Sequence, residues 1–251
     1  MSAQIVLVHG IRTSATMWRA QVAHLQQRGL AVHAIDLPGH GSRIDETWSL
    51  EEAIASIDRA VVRAVEQGPV VLAGHSLGGL LSTSYVGRRG SAPPVAAFVA
   101  FSCTALPRGA GLRAYRLMAR GFNRLPGGGR WLIDRALDLQ LPDETRFDLA
   151  AGGYSLTQED RALASLGEVD LLRALPRIQA RNMPVWFVNG EWDQLRVNER
   201  LFTRLVPRAE LVLARRSTHL VTVMRPRVAN AVLDLAIATA TARVALPSAE
   251  R

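Results

Sequence analysis

The sequence predicts an α/β fold built on a parallel sheet with helices on both faces. Short apolar runs alternate with longer segments of helical periodicity through the first hundred residues, an order typical of parallel strands joined by crossover helices. The apolar runs contain almost no polar residues, as expected for strands covered on both sides. With 251 residues, 48% of them hydrophobic, the chain can build one large domain or two small ones.

Each predicted element follows from its pattern. Continuous apolar runs of four to seven residues predict strands, and runs with period 3.6 predict helices. The predicted strands are residues 5–8, 31–35, 70–73, 95–101, 185–189 and 210–214. The predicted helices are residues 15–28, 50–66, 77–88, 197–205 and 225–242.

The alternation is interrupted between the fourth and fifth strands. Residues 103–168 contain no convincing strand; their helical stretches are separated by Gly127-Gly128-Gly129, Leu141-Pro142-Asp143 and Gly152-Gly153. Such glycine and proline clusters mark turns. We therefore predict a helical insertion over residues 103–168 and an α/β core formed by residues 1–102 and 169–251.

A G-x-S-x-G motif lies at the junction of the third strand and the following helix, as Gly74-His75-Ser76-Leu77-Gly78. In that context the motif predicts a serine held in a sharp turn, with its hydroxyl projecting from the sheet. The start of a helix behind Ser76 supplies free N–H groups suited to a developing oxyanion. Ser76 is the candidate nucleophile; the alternative is a glycine-rich turn that only joins strand to helix.

A nucleophilic serine needs a base and an orienting carboxylate. Of six histidines only His219 follows the serine, in a loop after the last strand, so His219 is the candidate base. The candidate acid is Asp193, in the loop after the strand at 185–189, with Glu191 as second choice. The alternative role for Asp193 is a cap for the next helix, but it lies several residues early for that.

The same chemistry requires donors for an oxyanion. One is expected from the backbone N–H of Leu77, directly after the nucleophile, and the other from the loop after the first strand. In that loop Gly10 permits close approach of the backbone, and the N–H of Ile11 is the candidate donor. We expect His9 to anchor the loop rather than to transfer protons.

Together these motifs resemble the α/β-hydrolase superfamily over about residues 4–240. The residues that carry the resemblance are His9-Gly10, Asp36-Leu37-Pro38-Gly39-His40-Gly41, Gly74 to Gly79, Gly190-Glu191-Trp192-Asp193 and Thr218-His219. The resemblance implies the order serine, acid, histidine, a lid formed by residues 103–168, and a structural turn at residues 36–41. It also implies that the family's usual N-terminal hairpin is absent here. Relatives acting on epoxides or haloalkanes use an aspartate nucleophile, so Ser76 argues against those activities.

Composition limits partners and location. All 30 basic residues are arginine and the formal net charge is +8, but the arginines are spread along the chain, so we expect no nucleic-acid partner. No uninterrupted apolar run reaches 18 residues and no secretory signal peptide is evident, so we expect no membrane span and a cytoplasmic location. Cys103 is the single cysteine. We expect no metal and no organic cofactor, because the predicted triad needs neither.

Two features of the predicted lid concern the substrate. Tyr115, Met118, Phe122, Trp131, Leu132 and Leu139 are candidates to line an acyl pocket, or else to pack the lid on the core. Arg113, Arg116, Arg120 and Arg124 share one helix face, and the stretch from Arg108 to Arg130 contains no acidic residue. This face is either solvated or an anion-docking surface for the phosphates of an acyl carrier such as coenzyme A or acyl carrier protein.

Three classes of function therefore stay open. The first is a hydrolase of carboxylic esters, thioesters or lactones acting on a small-molecule acyl substrate. The second is an acyltransferase or a carbon–carbon bond hydrolase with the same triad. The third is a ligand receptor without enzymatic activity. The sequence does not indicate an oligomeric state.

Overall fold

The computed structural model describes residues 2–245 and contains a six-stranded sheet in which every adjacent pair of strands is parallel. The strand order is β2-β1-β3-β4-β5-β6. The strands are β1 Gln4–Val8, β2 Ala31–Ile35, β3 Val70–His75, β4 Ala97–Phe101, β5 Val185–Gly190 and β6 Glu210–Ala214. The predicted parallel sheet is thereby confirmed. Residues 1 and 246–251, assigned to the core by the sequence, lie outside the described part of the chain.

Helices cover both faces of this sheet. They are α1 Arg19–Gln27, α2 Leu50–Val65, α3 Leu77–Val86, α4 Gly109–Asn123, α5 Arg130–Asp138, α6 Asp143–Ala151, α7 Leu156–Ser165, α8 Leu171–Ala180, α9 Glu199–Leu205, α10 Val221–Met224 and α11 Pro226–Ala245. Because side chains alternate along a strand, Val6 and Val8 belong to the cluster that includes buried residues of α2, α3 and α8. Ile5 and Leu7 belong to the opposite cluster, with α11.

Five helices lie between β4 and β5, and the first four, α4 to α7, form what we call the helical segment, residues 109–165. Helix α4 packs on α7, and α6 packs on a 3-10 turn at Ala15–Trp18 in the loop after β1. This is the stretch that the sequence predicted to be helical. Its action as a lid stays a prediction.

The sequence analysis placed some element boundaries wrongly. The predicted helix at 15–28 begins with the 3-10 turn, and only α1 is α-helical. Helix α8 was not predicted, although Asp170 caps it by accepting from the N–H of Arg173, and Leu171, Leu175 and Ile178 recur at helical spacing. Pro176 inside the helix lies on its second turn and weakens the helical pattern in the sequence.

In residues 2–245 there is no helix with both the length and the apolar character needed to cross a membrane. The predicted cytoplasmic location stays a prediction.

Candidate active site

Ser76 occupies a strained turn between β3 and α3. Its backbone has φ 50° and ψ −114°, a left-handed conformation that a non-glycine residue rarely adopts. The turn is tight enough that a Cβ on Gly74 would lie 2.5 Å from the carbonyl oxygen of Gly78. The N–H of Ser76 donates to the carbonyl of Phe101 (2.9 Å), which fixes the turn on β4. The hydroxyl is thereby held at the carboxyl edge of the sheet, where ligands of open α/β folds bind.

Ser76, His219 and Asp193 come together at that edge. The Nε2 atom of His219 lies 2.8 Å from the Oγ atom of Ser76. The Nδ1 atom of His219 lies 3.0 Å and 3.1 Å from the two carboxylate oxygens of Asp193. A proton on Nδ1 donates to this carboxylate, and Nε2 is then free to accept the proton of the serine hydroxyl.

The Asp193 carboxylate is buried, yet it is held in its charged form. Burial by itself raises the pKa of Asp193. The hydrogen bond and charge of His219, together with the N–H of Leu195 (2.8 Å), outweigh burial, and the pKa of Asp193 lies below its usual value. The second choice, Glu191, lies elsewhere: its carboxylate accepts from the N–H of Arg216 (2.9 Å).

Ile11 and Leu77, the residues predicted to donate to an oxyanion, border the same cavity as Ser76. Neither the N–H of Ile11 nor that of Leu77 has a hydrogen-bond partner among the described residues. The N–H of Gly78 donates to the carbonyl of His9 (3.1 Å), which joins the loop after β1 to the first turn of α3. His9 lies buried beneath that loop, where its Nε2 accepts from the N–H of Leu37 (3.0 Å) and its Nδ1 donates to the carbonyl of Gly10 (2.6 Å). The candidate donors therefore lie in the loop after β1 and at the start of α3, two segments that are held against each other.

A cavity of about 250 Å³ opens onto Ser76 and is mostly apolar. Both candidate donor residues and the candidate nucleophile contribute to its wall, and no charged side chain does. Its lining residues are Ile11, Ser76, Leu77, Leu80, Ala105, Leu106, Pro107, Leu112, Tyr115, Leu163, Leu166, Gln194, Leu195 and Val197.

Most of the predicted acyl-pocket residues do not reach this cavity. Of the six candidates only Tyr115 lines it. Met118, Trp131, Leu132 and Leu139 are exposed, because the outward faces of α4 and α5 carry apolar side chains as well as the inward faces. Phe122 is half-buried and lies outside the cavity lining. Periodicity along α4 marks an apolar helix, but it does not say which of two apolar faces turns towards the core.

Two residues near the site were missed by the sequence analysis. The Nε2 atom of His75 donates to the carbonyl oxygen of His219 (2.9 Å), and burial lowers the pKa of His75 to about 3, so this side chain is a neutral donor that holds the histidine loop. Arg12, next to Ile11, contacts the helical segment. The position of His75 within the G-x-S-x-G motif could have indicated its role, but no local sequence pattern indicates a role for Arg12. In the described part of the chain no three His, Cys, Asp or Glu side chains are grouped to hold a metal ion.

Comparison with known proteins places this site in a family. The model of the "Alpha/beta hydrolase family" matches residues 5–231. The chain belongs to the α/β-hydrolase family. Within it, the chain is 41% identical over 78 residues to "Probable esterase PIR7A" of Oryza sativa subsp. indica, a stretch covering 30% of each protein. It is 37% identical over 105 residues to "Putative protein-lysine deacylase ABHD14B" of Homo sapiens, covering 40% of this chain and 50% of the human protein.

Solved structures of this α/β-hydrolase family share the fold over nearly the whole chain. A carboxylesterase from the thaumarchaeon Nitrososphaera gargenis superposes with a TM-score of 0.79 at 18% identity, covering 96% of this chain and 92% of that one. An E-2-(acetamidomethylene)succinate hydrolase gives a TM-score of 0.76 at 20% identity, covering 95% and 92%. The sequence relatives, in contrast, are matched over only a third to a half of their length.

Proposed function

We propose that this α/β-hydrolase is a serine hydrolase that cleaves carboxylic esters, thioesters or lactones through an acyl-enzyme on Ser76. The observation that carries the proposal is the chain of contacts from the Ser76 hydroxyl through His219 to the buried Asp193 carboxylate. A hydroxyl within 2.8 Å of an imidazole nitrogen is in position for general-base activation. The names of the esterase relatives agree with this activity.

The reaction follows from these contacts. Ser76 Oγ attacks the acyl carbonyl while His219 Nε2 takes the hydroxyl proton, and the N–H groups of Ile11 and Leu77 donate to the oxyanion. Collapse of the tetrahedral intermediate breaks the bond to the leaving group, which receives the proton from His219. Water then attacks the acyl-enzyme and gives a proton to His219. Collapse of the second tetrahedral intermediate breaks the bond to Ser76 Oγ, which takes that proton back from His219, and the carboxylic acid is released; Asp193 stabilises the imidazolium in both stages.

The cavity defines the acyl group that we propose. At roughly 30 Å³ for a water-sized group, a volume of about 250 Å³ holds roughly eight carbon atoms. Since no charged side chain lines it, a carboxylate on the acyl chain would be buried without a partner. Esters of uncharged, medium-length acids therefore fit better than succinate-type substrates. Leu112 and Tyr115 of α4 and Leu163 of α7 line this cavity, which supports a lid role for the helical segment.

Delivery of the acyl group by a carrier is a further part of the proposal. Arg113 and Arg124 are exposed and have no ion-pair partner in the described part of the chain. Arg120 is less available, since it pairs with Asp160 (2.9 Å), so the predicted four-arginine face is smaller than expected. Arg113 lies on α4, which also lines the cavity, and Arg124 directly follows that helix; the two guanidinium groups could bind phosphates of a carrier thioester.

The decisive experiment compares Ser76→Ala with Ser82→Ala. Ser82 is a buried serine of α3 whose hydroxyl has no hydrogen-bond partner among the described residues. On p-nitrophenyl esters of increasing chain length, we expect Ser76→Ala to lose about 10⁴-fold or more in kcat with an unchanged Tm, and Ser82→Ala to retain activity. The wild-type rate should be highest near six to eight carbons, by the roughly 30 Å³ per group used above.

Other outcomes would identify the other classes. A folded Ser76→Ala variant with full activity contradicts the mechanism. Failure of wild-type Ser76 to react with a fluorophosphonate probe indicates a receptor. Acyl transfer to an added alcohol or amine in preference to water indicates an acyltransferase, and thioesters and lactones in the same panel separate the substrate classes.

A further inference from the structure

A buried polar bridge connects the loop after β1 with the helical segment. The Nε atom of Arg12 donates to Oε1 of Glu159 in α7 (2.7 Å), and its Nη2 atom donates to Oδ1 of Asn123, the last residue of α4 (2.9 Å). The Nδ2 atom of Asn123 donates in turn to the other carboxylate oxygen of Glu159 (3.4 Å). Three side chains from three elements thus form one closed hydrogen-bonded unit.

This bridge is rigid because of its burial. The Glu159 side chain is 0% exposed and the Arg12 side chain 17% exposed. A carboxylate removed from water in this way needs a charged partner and full hydrogen bonding, so neither partner can leave without a large penalty. Arg12 also has φ 59°, a left-handed backbone conformation that persists in a non-glycine residue only where its surroundings enforce it.

Ile11, the residue before Arg12, is therefore fixed from both sides. On the N-terminal side of Ile11, the N–H of Gly10 contacts Sδ of Met17 (3.5 Å) and the Gly10 carbonyl accepts from Nδ1 of His9. On the Arg12 side, the bridge sets the backbone, and Thr13 adds a hydrogen bond to the carbonyl of Leu149 in α6 (3.1 Å). The position of the Ile11 amide thus depends on the docking of the helical segment.

We propose that Arg12 and Glu159 are positioning residues that set the Ile11 amide for oxyanion binding and couple it to the seating of α4 and α7. The inference rests on the proposed function, in which this amide stabilises the transition state. Substrate binding draws on the apolar cavity, whereas the oxyanion forms only during the reaction. Disturbing the bridge should accordingly lower kcat while leaving KM nearly unchanged.

The test compares Glu159→Gln with Asp160→Asn. Asp160 neighbours Glu159 in α7 and also pairs with α4, through Arg120, but at an exposed position away from the loop. For Glu159→Gln we expect kcat to fall about 10- to 100-fold, less than the full loss of an oxyanion donor, with KM within about twofold. Affinity for an alkyl boronic acid, which forms a tetrahedral adduct on serine, should fall by the same factor. Asp160→Asn should leave all three quantities within about twofold of wild type.

Two milder variants keep the proposal testable if Glu159→Gln does not fold. Arg12→Lys retains the charge but cannot hold Glu159 and Asn123 together, and Asn123→Ala removes one arm while the ion pair remains. Each should lower kcat about three- to tenfold with KM unchanged. A kcat within twofold of wild type in the folded variants, or a change confined to KM, overturns the proposal. If Ser76→Ala keeps full activity, the proposed function fails instead, so the two failures are distinct.

Discussion

The sheet core and the helical segment of this protein differ in how completely their apolar side chains are buried and in the kind of contacts that hold them. In the core, β1, β3, β4 and β5 are buried along their whole length, and the turn at Ser76 is closed by backbone atoms. In the helical segment, large apolar side chains stay exposed: Leu117 is 70% and Leu139 82% exposed. The segment meets the loop after β1 through polar contacts such as Arg12 with Glu159.

This contrast indicates that the proposed chemistry depends on the core and the proposed substrate selectivity on the helical segment. The contacts of His219 with Ser76 and with Asp193 depend on main-chain geometry in the tightly packed core, where a single added methyl group meets a fixed backbone. The helical segment contributes cavity walls and a bridge of side chains, which can be altered without rebuilding the sheet. Atoms added against the core backbone should therefore destabilise the fold, whereas the segment should accept added atoms at its open positions, and changes to its buried side chains should act mainly on rate or substrate preference.

Acidification should give the largest effect, and it should act on the core. His9 and His75 are fully buried, and burial lowers the pKa of each to about 3, while the helical segment contains no histidine. The unfolded chain binds these protons near pH 6.5 and the folded chain does not, so stability is complete above pH 6.5 and decreases as the pH falls towards 3. Between pH 7 and pH 5 we expect a loss of about 2 kcal/mol for each histidine, at about 1.4 kcal/mol per pH unit.

Urea unfolding at pH 7, 6 and 5 measures this loss directly. An unchanged midpoint over that range would contradict the assignment of neutral, buried histidines to the core.

Two helical glycines offer the next test, one in each region. A Cβ on Gly78 of α3 would lie 2.4 Å from the carbonyl oxygen of His9, whereas a Cβ on Gly121 of α4 would meet no atom within 4 Å. We expect Gly78→Ala to destabilise the protein by about 1–3 kcal/mol, because the loop after β1 and the start of α3 must move apart. Gly121→Ala should stabilise it by about 0.5–1 kcal/mol through helix propensity. Thermal unfolding of both variants measures these changes in stability. Shifts in Tm of the same sign would contradict the difference in packing between the core and the helical segment.

The smallest effect concerns Arg113 of α4 and Arg124, which directly follows that helix. If carrier phosphates bind there, the double variant Arg113→Ala with Arg124→Ala should raise KM for a coenzyme A thioester about three- to tenfold, and added salt should do the same to the wild type. The KM for an uncharged ester of the same acid should not change in either case. Equal behaviour of thioester and ester would exclude a carrier-docking role for this face.

Much of the core could be predicted because its signals are local. Continuous apolar runs predicted all six strands within two residues of each boundary, and the motif around Ser76 specified a strand, a turn and a helix. The positions of His219 and Asp193 followed from chain order and from the rule that parallel strands share one carboxyl edge. Helix α8 was missed because Pro176 interrupts its pattern.

The sequence alone was enough to predict the parallel sheet, the helices that connect its strands and the residues that can meet at its carboxyl edge. This was possible because the spacing of buried residues and the residue types at turns are local properties of the sequence. Only the tertiary structure decided which face of α4 lines the cavity and which polar groups bridge to it. Arg12 and Glu159 are 147 residues apart, and no local sequence pattern near either residue predicts their contact. Their pairing depends on tertiary packing, because the buried carboxylate of Glu159 needs a cationic partner and the fold places Arg12 beside it.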